Sequence, residues 1–356
     1  MKIDSWMVCR AAEPMVESAR EAQPGPGEVL VEVAGCGVCH TDLGFFYEGV
    51  PTNQAFPLTL GHEISGRVVQ TGEGQDDWLG RAVVVPAVIP CGECDACQAG
   101  HGSICPTQVF PGNDMHGGFG THVIVPARGL CPVPDLEDPD FNRAGLDLAS
   151  LSVIADAVST PYQAVLRSGL ASGDVAIFIG AGGVGSFGIQ IAAALGAAVI
   201  AIDVDDSRFG VLREHGADLC LRADQLSFKE LKGEVQGFCK ERQVPSWKQK
   251  IFETSGSSAG QATAFGLLGK GGYLSVVGFT AKKLELRLSN LMAFDATVQG
   301  NWGCLPEHYP AIVKMALEGK LALEPFIERR PLATINETFE QLHSKGSERR
   351  IVLIPE

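Results

Sequence analysis

The stretch Asp174-Val-Ala-Ile-Phe-Ile-Gly-Ala-Gly-Gly-Val-Gly185 decides how the second half of this chain folds. It opens with a continuous apolar run, which is typical of a strand buried on both faces of a parallel sheet. A helical run over 186–195 and a second β-branched run over 198–203 follow directly. The pattern therefore predicts a strand, a tight turn, a helix and a second parallel strand.

The turn in this unit has the spacing Gly-x-Gly-x-x-Gly, formed by Gly180, Gly182 and Gly185, with Gly183 and Val184 between them. Glycines there permit a tight turn and let a pyrophosphate approach the amides at a helix N-terminus. The spacing alone is weak evidence, but it is specific when strand, helix and second strand surround it in register. We therefore predict a dinucleotide site at this turn.

The second strand ends in Asp203, eighteen residues after Gly185. A carboxylate at that point accepts hydrogen bonds from the adenosine ribose hydroxyls and repels a 2′-phosphate, so NAD is favoured over NADP. Arg208, five residues later, either caps the ribose edge or is simply solvated, and the sequence does not decide between these alternatives.

Strand and helix signals continue to alternate beyond this unit, which predicts an α/β domain with a parallel sheet over 156–301. The predicted elements are a helix at 207–215, strands at 219–221 and 251–254, a helix at 259–268 and a strand at 273–277. Between them lies a helix-like stretch, 226–250, with an excess of positive charge: Lys229, Lys232, Lys240, Arg242, Lys248 and Lys250 against Glu230, Glu234 and Glu241. It is either a solvated helix face or an anchor for a phosphate-bearing substrate.

The first part of the chain, 1–155, is rich in β-branched runs separated by Gly and Pro, and helical periodicity is scarce before residue 140. This predicts a partly open β-barrel with strands at 29–33, 64–69, 81–85 and 122–125. After residue 302 we expect one amphipathic helix, 311–318, and two strands, 325–327 and 351–354. A lone helix and strands after a complete α/β domain suggest that the chain returns to the first domain.

Four cysteines, Cys91, Cys94, Cys97 and Cys105, lie two, two and seven residues apart in a glycine-rich loop, about 90–106. Tetrahedral thiolate cages of this kind are typical of closed structural zinc sites, which have no position for substrate. The chain has eleven cysteines in all. Because the cysteines sit in metal spacing or alone in apolar runs, as Cys220, Cys239 and Cys304 do, a reducing cytoplasm is favoured over a secreted disulfide scaffold.

Two other loops of the first part carry metal-binding residue types, Cys39-His-Thr41-Asp and Gly61-His62-Glu63. A thiol and an imidazole on rigid, glycine-bounded loops can be two of the three protein ligands of a catalytic zinc. Each loop is weak evidence alone. A single cysteine is commonly a small buried apolar residue, and a His-Glu pair is commonly a surface turn.

Composition narrows the classes of function. The 356 residues are 45% hydrophobic and 20% charged, which is ordinary for a globular protein, and the formal net charge is −14. This negative charge argues against nucleic acid or an anionic membrane surface as the main partner. No apolar run reaches the roughly 18 residues of a membrane span, and the first ten residues lack the apolar core of a secretory signal.

Taken together, these motifs resemble the zinc-dependent medium-chain dehydrogenase (alcohol dehydrogenase-like) superfamily over essentially the whole chain. The resemblance implies an α/β protein with a GroES-like β-barrel catalytic domain, 1–155, and a Rossmann-fold NAD-binding domain, 156–301. The C-terminal segment, 302–356, would return to the catalytic domain. Relatives are commonly dimers or tetramers, so a homo-oligomer is expected.

The resemblance also implies roles for single residues. Cys39 and His62 would be ligands of a catalytic zinc, and the third ligand falls in 154–160, where relatives carry Cys, Glu or Asp, which makes Asp156 our choice. Glu63 would be the adjacent acid that can approach the metal, and Thr41 would hydrogen-bond the substrate oxygen. With the structural site at Cys91, Cys94, Cys97 and Cys105, each chain would hold two zinc ions and one NAD.

Thr160, Val277 and Gly278 would add contacts to the cofactor. One position departs from the family pattern: many alcohol dehydrogenases have a histidine at the end of a proton relay where this chain has Gly44. The proton would then leave through the cofactor ribose and water.

The implied reaction is oxidation of a secondary alcohol with hydride transfer to NAD. The sequence as a whole resembles a branch of the family that acts on acyl-CoA thioesters. A general secondary-alcohol or polyol dehydrogenase is the alternative within the family. A zinc-free enone reductase would lack the ligands kept here, and a non-catalytic NAD-binding protein would not need Cys39, His62, Asp156 and Thr41 together.

Overall fold

The computed structural model describes all 356 residues, which form two compact units. Unit 1 comprises Met1–Ser159, Gly303–Gly319 and Leu323–Glu356, and unit 2 comprises Thr160–Trp302 and Lys320–Ala322. Each unit has a hydrophobic core of its own. No helix is both long and apolar enough to span a bilayer.

The first part of unit 1 is mostly strand. Its elements are β1 (Lys2–Met7), β2 (Val16–Glu21), β3 (Glu28–Gly37), α1 (His40–Tyr47), β4 (Glu63–Thr71), β5 (Ala82–Val85), α2 (Asp95–Gln98), β6 (His122–Pro126) and β7 (Cys131–Pro132). The strands β1 and β2 form an antiparallel pair, and β3 pairs with both β4 and β6. Most of β3 is buried, so this strand is the centre of the unit.

The helix α1 was not among the expected elements, although it agrees with the scarcity of helical periodicity before residue 140. Five of its residues are buried, Asp42, Leu43, Gly44, Phe45 and Phe46. They follow one another without the 3.6-residue spacing of an amphipathic helix, so periodicity could not reveal it. The helix begins after Cys39, whose backbone N–H donates to the Asp42 carboxylate at 2.9 Å.

Unit 2 contains the predicted alternation of helices and strands. Its elements are α3 (Ser159–Arg167), β8 (Val175–Ile179), α4 (Gly185–Ala194), β9 (Ala198–Asp203), α5 (Phe209–Glu214), β10 (Leu219–Arg222), α6 (Phe228–Glu241), β11 (Gln249–Glu253), α7 (Ser258–Leu267), β12 (Tyr273–Val276), α8 (Ser289–Phe294) and β13 (Thr297–Gly300). Six strands form a fully parallel sheet in the order β10-β9-β8-β11-β12-β13. The predicted parallel sheet is confirmed, and its strand ends place the glycine turn after β8 at the carboxyl edge.

The chain then returns to unit 1 with α9 (Tyr309–Leu317), β14 (Ile327–Pro331), α10 (Ile335–Lys345) and β15 (Arg350–Ile354). The strand β15 lies between β14 and β3 in a seven-stranded sheet, with Val352 opposite Gly37. The return of this segment was expected, but two details were wrong. Residues Glu324–Phe326 form a 3₁₀ turn, since Pro325 favours the start of a helix, and the strand begins at Ile327.

The second detail is α10, which we did not predict. Its apolar residues Ile335, Phe339 and Leu342 are spaced four and three residues apart, which is the signature of one helical face. Ile335 and Phe339 are fully buried in the core of unit 1. The signal was therefore present in the sequence.

Candidate metal centres and nucleotide site

Unit 1 brings together four potential metal ligands, Cys39, His62, Glu63 and Asp156, with one ligand atom from each within 4.8 Å of the others. Cys39 precedes α1, His62 and Glu63 stand at the start of β4, and Asp156 follows the 3₁₀ helix Ser150–Ala155. Asp156 Oδ2 lies 3.6 Å from Cys39 Sγ and 3.6 Å from His62 Nε2. The fold therefore assembles a thiolate, an imidazole and a carboxylate around one point.

These distances fit a zinc ion. Zinc bonds of about 2.3 Å to sulfur and about 2.0–2.1 Å to nitrogen or oxygen give tetrahedral ligand separations of about 3.3–3.8 Å. His62 Nε2 is buried and makes no hydrogen bond, which is unusual for a native polar group and is what a metal ligand requires. Thiolate, imidazole and carboxylate together are an acceptable zinc set.

Asp42 ties the two ligand loops together and is completely buried. One oxygen accepts the Cys39 N–H at 2.9 Å, and the other accepts the Gly61 N–H at 3.1 Å and lies 3.3 Å from His62 Nδ1. Burial alone would lower the pKa of His62, but the Asp42 and Asp156 carboxylates outweigh it and raise that pKa well above its usual value. The two carboxylates beside the imidazole thus favour a positive charge at this position.

Our sequence interpretation quoted Asp42 in the loop motif but gave it no role. A signal was available, because an acidic residue three positions after a helix cap commonly accepts the N–H of the capping residue. This position is the one that Asp42 holds relative to Cys39. The Asp42 carboxylate therefore caps the helix α1 and also contacts His62 of the potential metal cluster.

Glu63 is held by Arg350, whose Nε donates to Oε2 at 3.0 Å and whose Nη2 donates to Oε1. Both side chains are buried, and burial raises the pKa of Glu63 while Arg350 opposes that rise. Each Glu63 oxygen accepts one bond from the guanidinium, so the Arg350 pair orients the carboxylate at the edge of the ligand cluster. Arg350 lies 287 positions away on β15, and no local signal in the sequence pointed to it.

Thr41 stands in the first turn of α1, beside the cluster. Its Oγ1 lies 3.6 Å from Cys39 Sγ, and the side chain is partly exposed. A hydroxyl in this position can hydrogen-bond an oxygen atom held next to the thiolate. Gly44, one turn later, brings no ionisable group to the same helix.

The four cysteines of the loop, which we call the four-cysteine lobe (90–106), form a second centre. The Sγ separations are 3.5 Å for Cys94–Cys97, 3.8 Å for Cys94–Cys105 and 3.9 Å for Cys91–Cys97. Four thiolates around a zinc ion at about 2.3 Å are about 3.8 Å apart, so the set fits a closed tetrahedral site. The backbone N–H groups of Glu93 and Cys94 donate to Cys91 Sγ at 3.4 and 3.3 Å, which favours the thiolate form of this cysteine.

The glycine turn of unit 2 is built for close approach. Gly180 has φ +92°, and a Cβ there would lie 2.5 Å from the Ser255 backbone, while a Cβ on Gly185 would lie 1.9 Å from Gly180 O. Gly182 differs, because the nearest atom to its added Cβ is Arg208 Nη1 at 4.0 Å. The turn therefore leaves open space at Gly182, where α4 begins just after Val184 and a pyrophosphate could meet the helix N-terminus.

Asp203 ends β9 beside this turn. Its Oδ2 accepts the Ala181 N–H at 2.6 Å, and its Oδ1 accepts the Val204 N–H at 2.7 Å. Arg208 Nη2 lies 4.0 Å from Asp203 Oδ2, and the Arg208 side chain is only 16% exposed. The Arg208 side chain is therefore held beside the Asp203 carboxylate and is not freely solvated, while its contact with a ribose stays a prediction.

The remaining predicted cofactor residues also lie in unit 2. The Val277 and Gly278 N–H groups donate to Glu253 O at 2.9 and 3.0 Å, just beyond β12 at the carboxyl edge of the sheet. Thr160 is buried in α3, where its carbonyl accepts from Asn301 Nδ2 at 3.1 Å. Contact of these three residues with NAD stays a prediction.

Comparisons with known proteins agree with this geometry. Residues 25–135 match the family described as alcohol dehydrogenase GroES-like domain, and residues 183–318 match the zinc-binding dehydrogenase family. An alcohol dehydrogenase of Geobacillus stearothermophilus is 30% identical over 92% of this chain and 91% of its own. Galactitol 1-phosphate 5-dehydrogenase of Escherichia coli (strain K12) is 27% identical over 99% and 98%. The crystal structure of an alcohol dehydrogenase from Thermotoga maritima superposes with a TM-score of 0.88, at 26% identity over 100% of both chains.

Proposed function

Because this chain belongs to the zinc-dependent medium-chain alcohol dehydrogenase family, and is thus a zinc-dependent, NAD-linked oxidoreductase acting on CH–OH groups, we propose that it oxidises a secondary alcohol to a ketone at the Cys39–His62–Asp156 cluster. The observation that carries the proposal is the convergence of three ligand types at 3.6 Å spacings beside the Thr41 hydroxyl.

The residues divide the work of the reaction. Cys39, His62 and Asp156 would hold a zinc ion, which would supply the Lewis acidity that lowers the pKa of the alcohol, and NAD would accept the hydride. Thr41 would take the proton of the alcohol and pass it on. Since Gly44 offers no ionisable group, the next acceptors would be the cofactor ribose and water.

Unit 2 would hold the cofactor. The open space at Gly182 would accept the pyrophosphate, and the Asp203 carboxylate would accept hydrogen bonds from the ribose hydroxyls. Thr160, Val277 and Gly278 would contribute further contacts to the nucleotide.

A screen for NADH formation tests the proposal, with secondary alcohols, polyols and CoA thioesters of hydroxy acids as substrates. We expect His62→Ala to abolish turnover of every substrate that the unaltered protein uses, with the dissociation constant for NAD unchanged. Turnover that persists in His62→Ala would refute the assignment of the site.

Among secondary alcohols, we propose 6-hydroxycyclohex-1-ene-1-carbonyl-CoA as the substrate and 6-oxocyclohex-1-ene-1-carbonyl-CoA as the product, a step of anaerobic benzoyl-CoA degradation. The support is a resemblance in sequence, because the runs 247–256, 291–295 and 300–304 resemble that branch of the family. In this reaction the ring alcohol becomes a ketone conjugated to the thioester.

The basic stretch bears on this substrate. In α6, Lys232 Nζ already donates to Gly266 O at 2.9 Å, and Arg242 lies over the Phe238 ring at 3.6 Å. Lys232, Lys240 and Lys270 line a cavity of about 420 Å³ with Gln249, where β11 begins. This is the amino edge of the parallel sheet, opposite to the glycine turn, so an anchor at Lys240 would be remote from the nucleotide phosphates.

Charge reversal tests this anchor. If the stretch binds coenzyme A phosphates, Lys229→Glu, Lys232→Glu and Lys240→Glu together raise the KM for the CoA thioester far more than the KM for NAD. Equal or negligible changes would remove the anchor but leave the alcohol dehydrogenase proposal intact.

A polyol or simple secondary alcohol is the second candidate substrate. It is favoured by the relative named galactitol 1-phosphate 5-dehydrogenase, which this chain matches over almost its full length. The same screen separates the two, since a polyol dehydrogenase reduces NAD with free polyols and not with thioesters. A non-catalytic NAD-binding protein would bind NAD and form no NADH with any of them.

We also propose a cytoplasmic location and a homo-oligomer, a dimer or a tetramer. None of the eleven cysteines is in a disulfide bond, which suits a reducing compartment. Cell fractionation and light scattering of the purified protein test these two statements.

A further inference from the structure

The carbonyl oxygen of Ala155, the residue before Asp156, accepts three hydrogen bonds within unit 1. Tyr309 donates its phenolic O–H at 2.5 Å, Ser159 its hydroxyl at 3.1 Å and Ala87 its N–H at 3.3 Å. A backbone carbonyl has two lone pairs, so this acceptor is fully used. The peptide that leads into Asp156 is therefore held from three directions.

Tyr309 makes the shortest of these bonds. It is the first residue of α9, its side chain is completely buried, and 154 positions separate it from Ala155. Burial raises the pKa of the phenol well above its usual value, so the hydroxyl stays protonated and donates. Ser159 Oγ lies 3.1 Å from both the Ala155 carbonyl oxygen and Tyr309 Oη, so its single proton serves one of these two acceptors at a time.

Asp156 directly follows this carbonyl and has no regular secondary structure to fix it, because the 3₁₀ helix ends at Ala155. A rotation of the peptide plane between Ala155 and Asp156 would move the carboxylate relative to Cys39 and His62. The Tyr309 hydroxyl opposes that rotation. The Asp156 carboxylate whose Oδ2 lies 3.6 Å from both Cys39 Sγ and His62 Nε2 therefore follows a peptide that Tyr309 holds in place.

We propose that Tyr309 is a positioning residue for the catalytic metal, which acts by holding the Ala155 carbonyl so that the Asp156 carboxylate faces Cys39 and His62. The inference rests on the proposed function, in which Asp156 is a zinc ligand. Groups that orient metal ligands typically change metal affinity by about 10–100-fold when they are removed.

The test compares two substitutions that each delete one buried phenol hydroxyl. Tyr309→Phe removes the bond to Ala155, and the matched control Tyr273→Phe removes a bond of the same length, 2.5 Å, from Tyr273 Oη to Gln299 in unit 2. Both keep the aromatic ring, so loss of packing is minimised. Each purified protein is loaded with zinc, and release of its two ions to a chelator is followed over time.

We expect Tyr309→Phe to release one of its two zinc ions about 10–100-fold faster than the unaltered protein, with the second ion unchanged. Tyr273→Phe should release both at the original rates. With cobalt in place of zinc, the visible absorption of the catalytic site should change only in Tyr309→Phe. In that variant kcat falls while the dissociation constant for NAD stays the same.

Zinc release from Tyr309→Phe that matches Tyr273→Phe would overturn the proposal. Asp156→Ala separates this failure from failure of the proposed function: if Asp156→Ala keeps both ions, Asp156 is not a ligand, whereas if it loses one and Tyr309→Phe does not, only the positioning role fails. Should Tyr309→Phe not fold, Ser159→Ala replaces it, with about fivefold faster release expected for one hydrogen bond and unchanged release overturning the proposal.

Discussion

The two metal centres of unit 1 are built in opposite ways. In the four-cysteine lobe all ligands come from residues 91–105, and turns and the short helix α2 bring the sulfurs together. The proposed catalytic cluster takes Cys39, His62 and Asp156 from three separate parts of the chain, and Cys39 and Asp156 are 117 positions apart. Unfolding of one loop is enough to destroy the local centre. The assembled centre forms only when distant parts of the unit are folded together.

The largest expected effect is on the assembled centre. Asp156→Ala removes one of three ligands, so one zinc of two is lost and kcat/KM falls by on the order of a thousandfold or more, because metal Lewis acidity contributes several kcal/mol. Elemental analysis and NADH formation measure both quantities. If Asp156→Ala keeps two zinc ions and full turnover, the contrast between the two centres is wrong.

The local centre should respond in stability before catalysis. Cys94→Ser removes a thiolate ligand, and since metal binding in such lobes is coupled to their folding, we expect the midpoint of thermal unfolding to fall by more than roughly 5 °C. Protein that remains folded should keep its second zinc and most of its kcat. A kcat that falls in proportion to Asp156→Ala would show that the two centres are not independent.

Asp42 is a subtler way to weaken the assembled centre. Asp42→Asn is nearly isosteric but removes the negative charge shared by the Cys39 N–H, the Gly61 N–H and His62. We expect catalytic zinc affinity to fall by about 10–100-fold, with the four-cysteine zinc unaffected. Chelator competition measures the two affinities, and equal weakening of both sites would contradict the expectation.

The smallest expected effect comes from removing a hydroxyl group that contacts one cysteine of the four-cysteine lobe. Thr107 Oγ1 lies 3.6 Å from Cys105 Sγ, and Thr107→Val removes that hydroxyl at nearly constant volume. A single weak hydrogen bond contributes no more than about 1 kcal/mol, so the thermal midpoint should fall by at most roughly 2–4 °C. Calorimetry measures the thermal midpoint. Any loss of turnover in Thr107→Val would contradict the expectation that the two centres are independent.

The same contrast explains what the sequence could predict. The four cysteines, the glycine turn and the strands of unit 2 were predicted because their signals are local: fixed spacing, apolar runs and turn residues. Asp203 belongs to this class too, since it ends a strand at a fixed distance from the glycines. These features do not depend on distant parts of the chain.

Other features depend on contacts that only the fold creates. Arg350 pairs with Glu63 from 287 positions away, and Tyr309 holds Ala155 from 154. Neither residue stands in a motif. The proposed third ligand, Asp156, was chosen through a family resemblance and not through local chemistry. The helix α1 was missed because its apolar residues are consecutive rather than periodic.

The place of β15 has a consequence for the order of events on the ribosome. This strand lies between β14 and β3, yet it is translated after all of Thr160–Trp302, whose parallel sheet is complete once β13 has emerged. At about 5–20 residues per second, unit 2 has seconds to fold while the carboxyl end of β3 is paired with β4 on one side and unpaired on the side that β15 later occupies. Unpaired strand edges invite wrong partners, so the unit that carries both metal centres is the last to close and has the greatest need of a chaperone during synthesis.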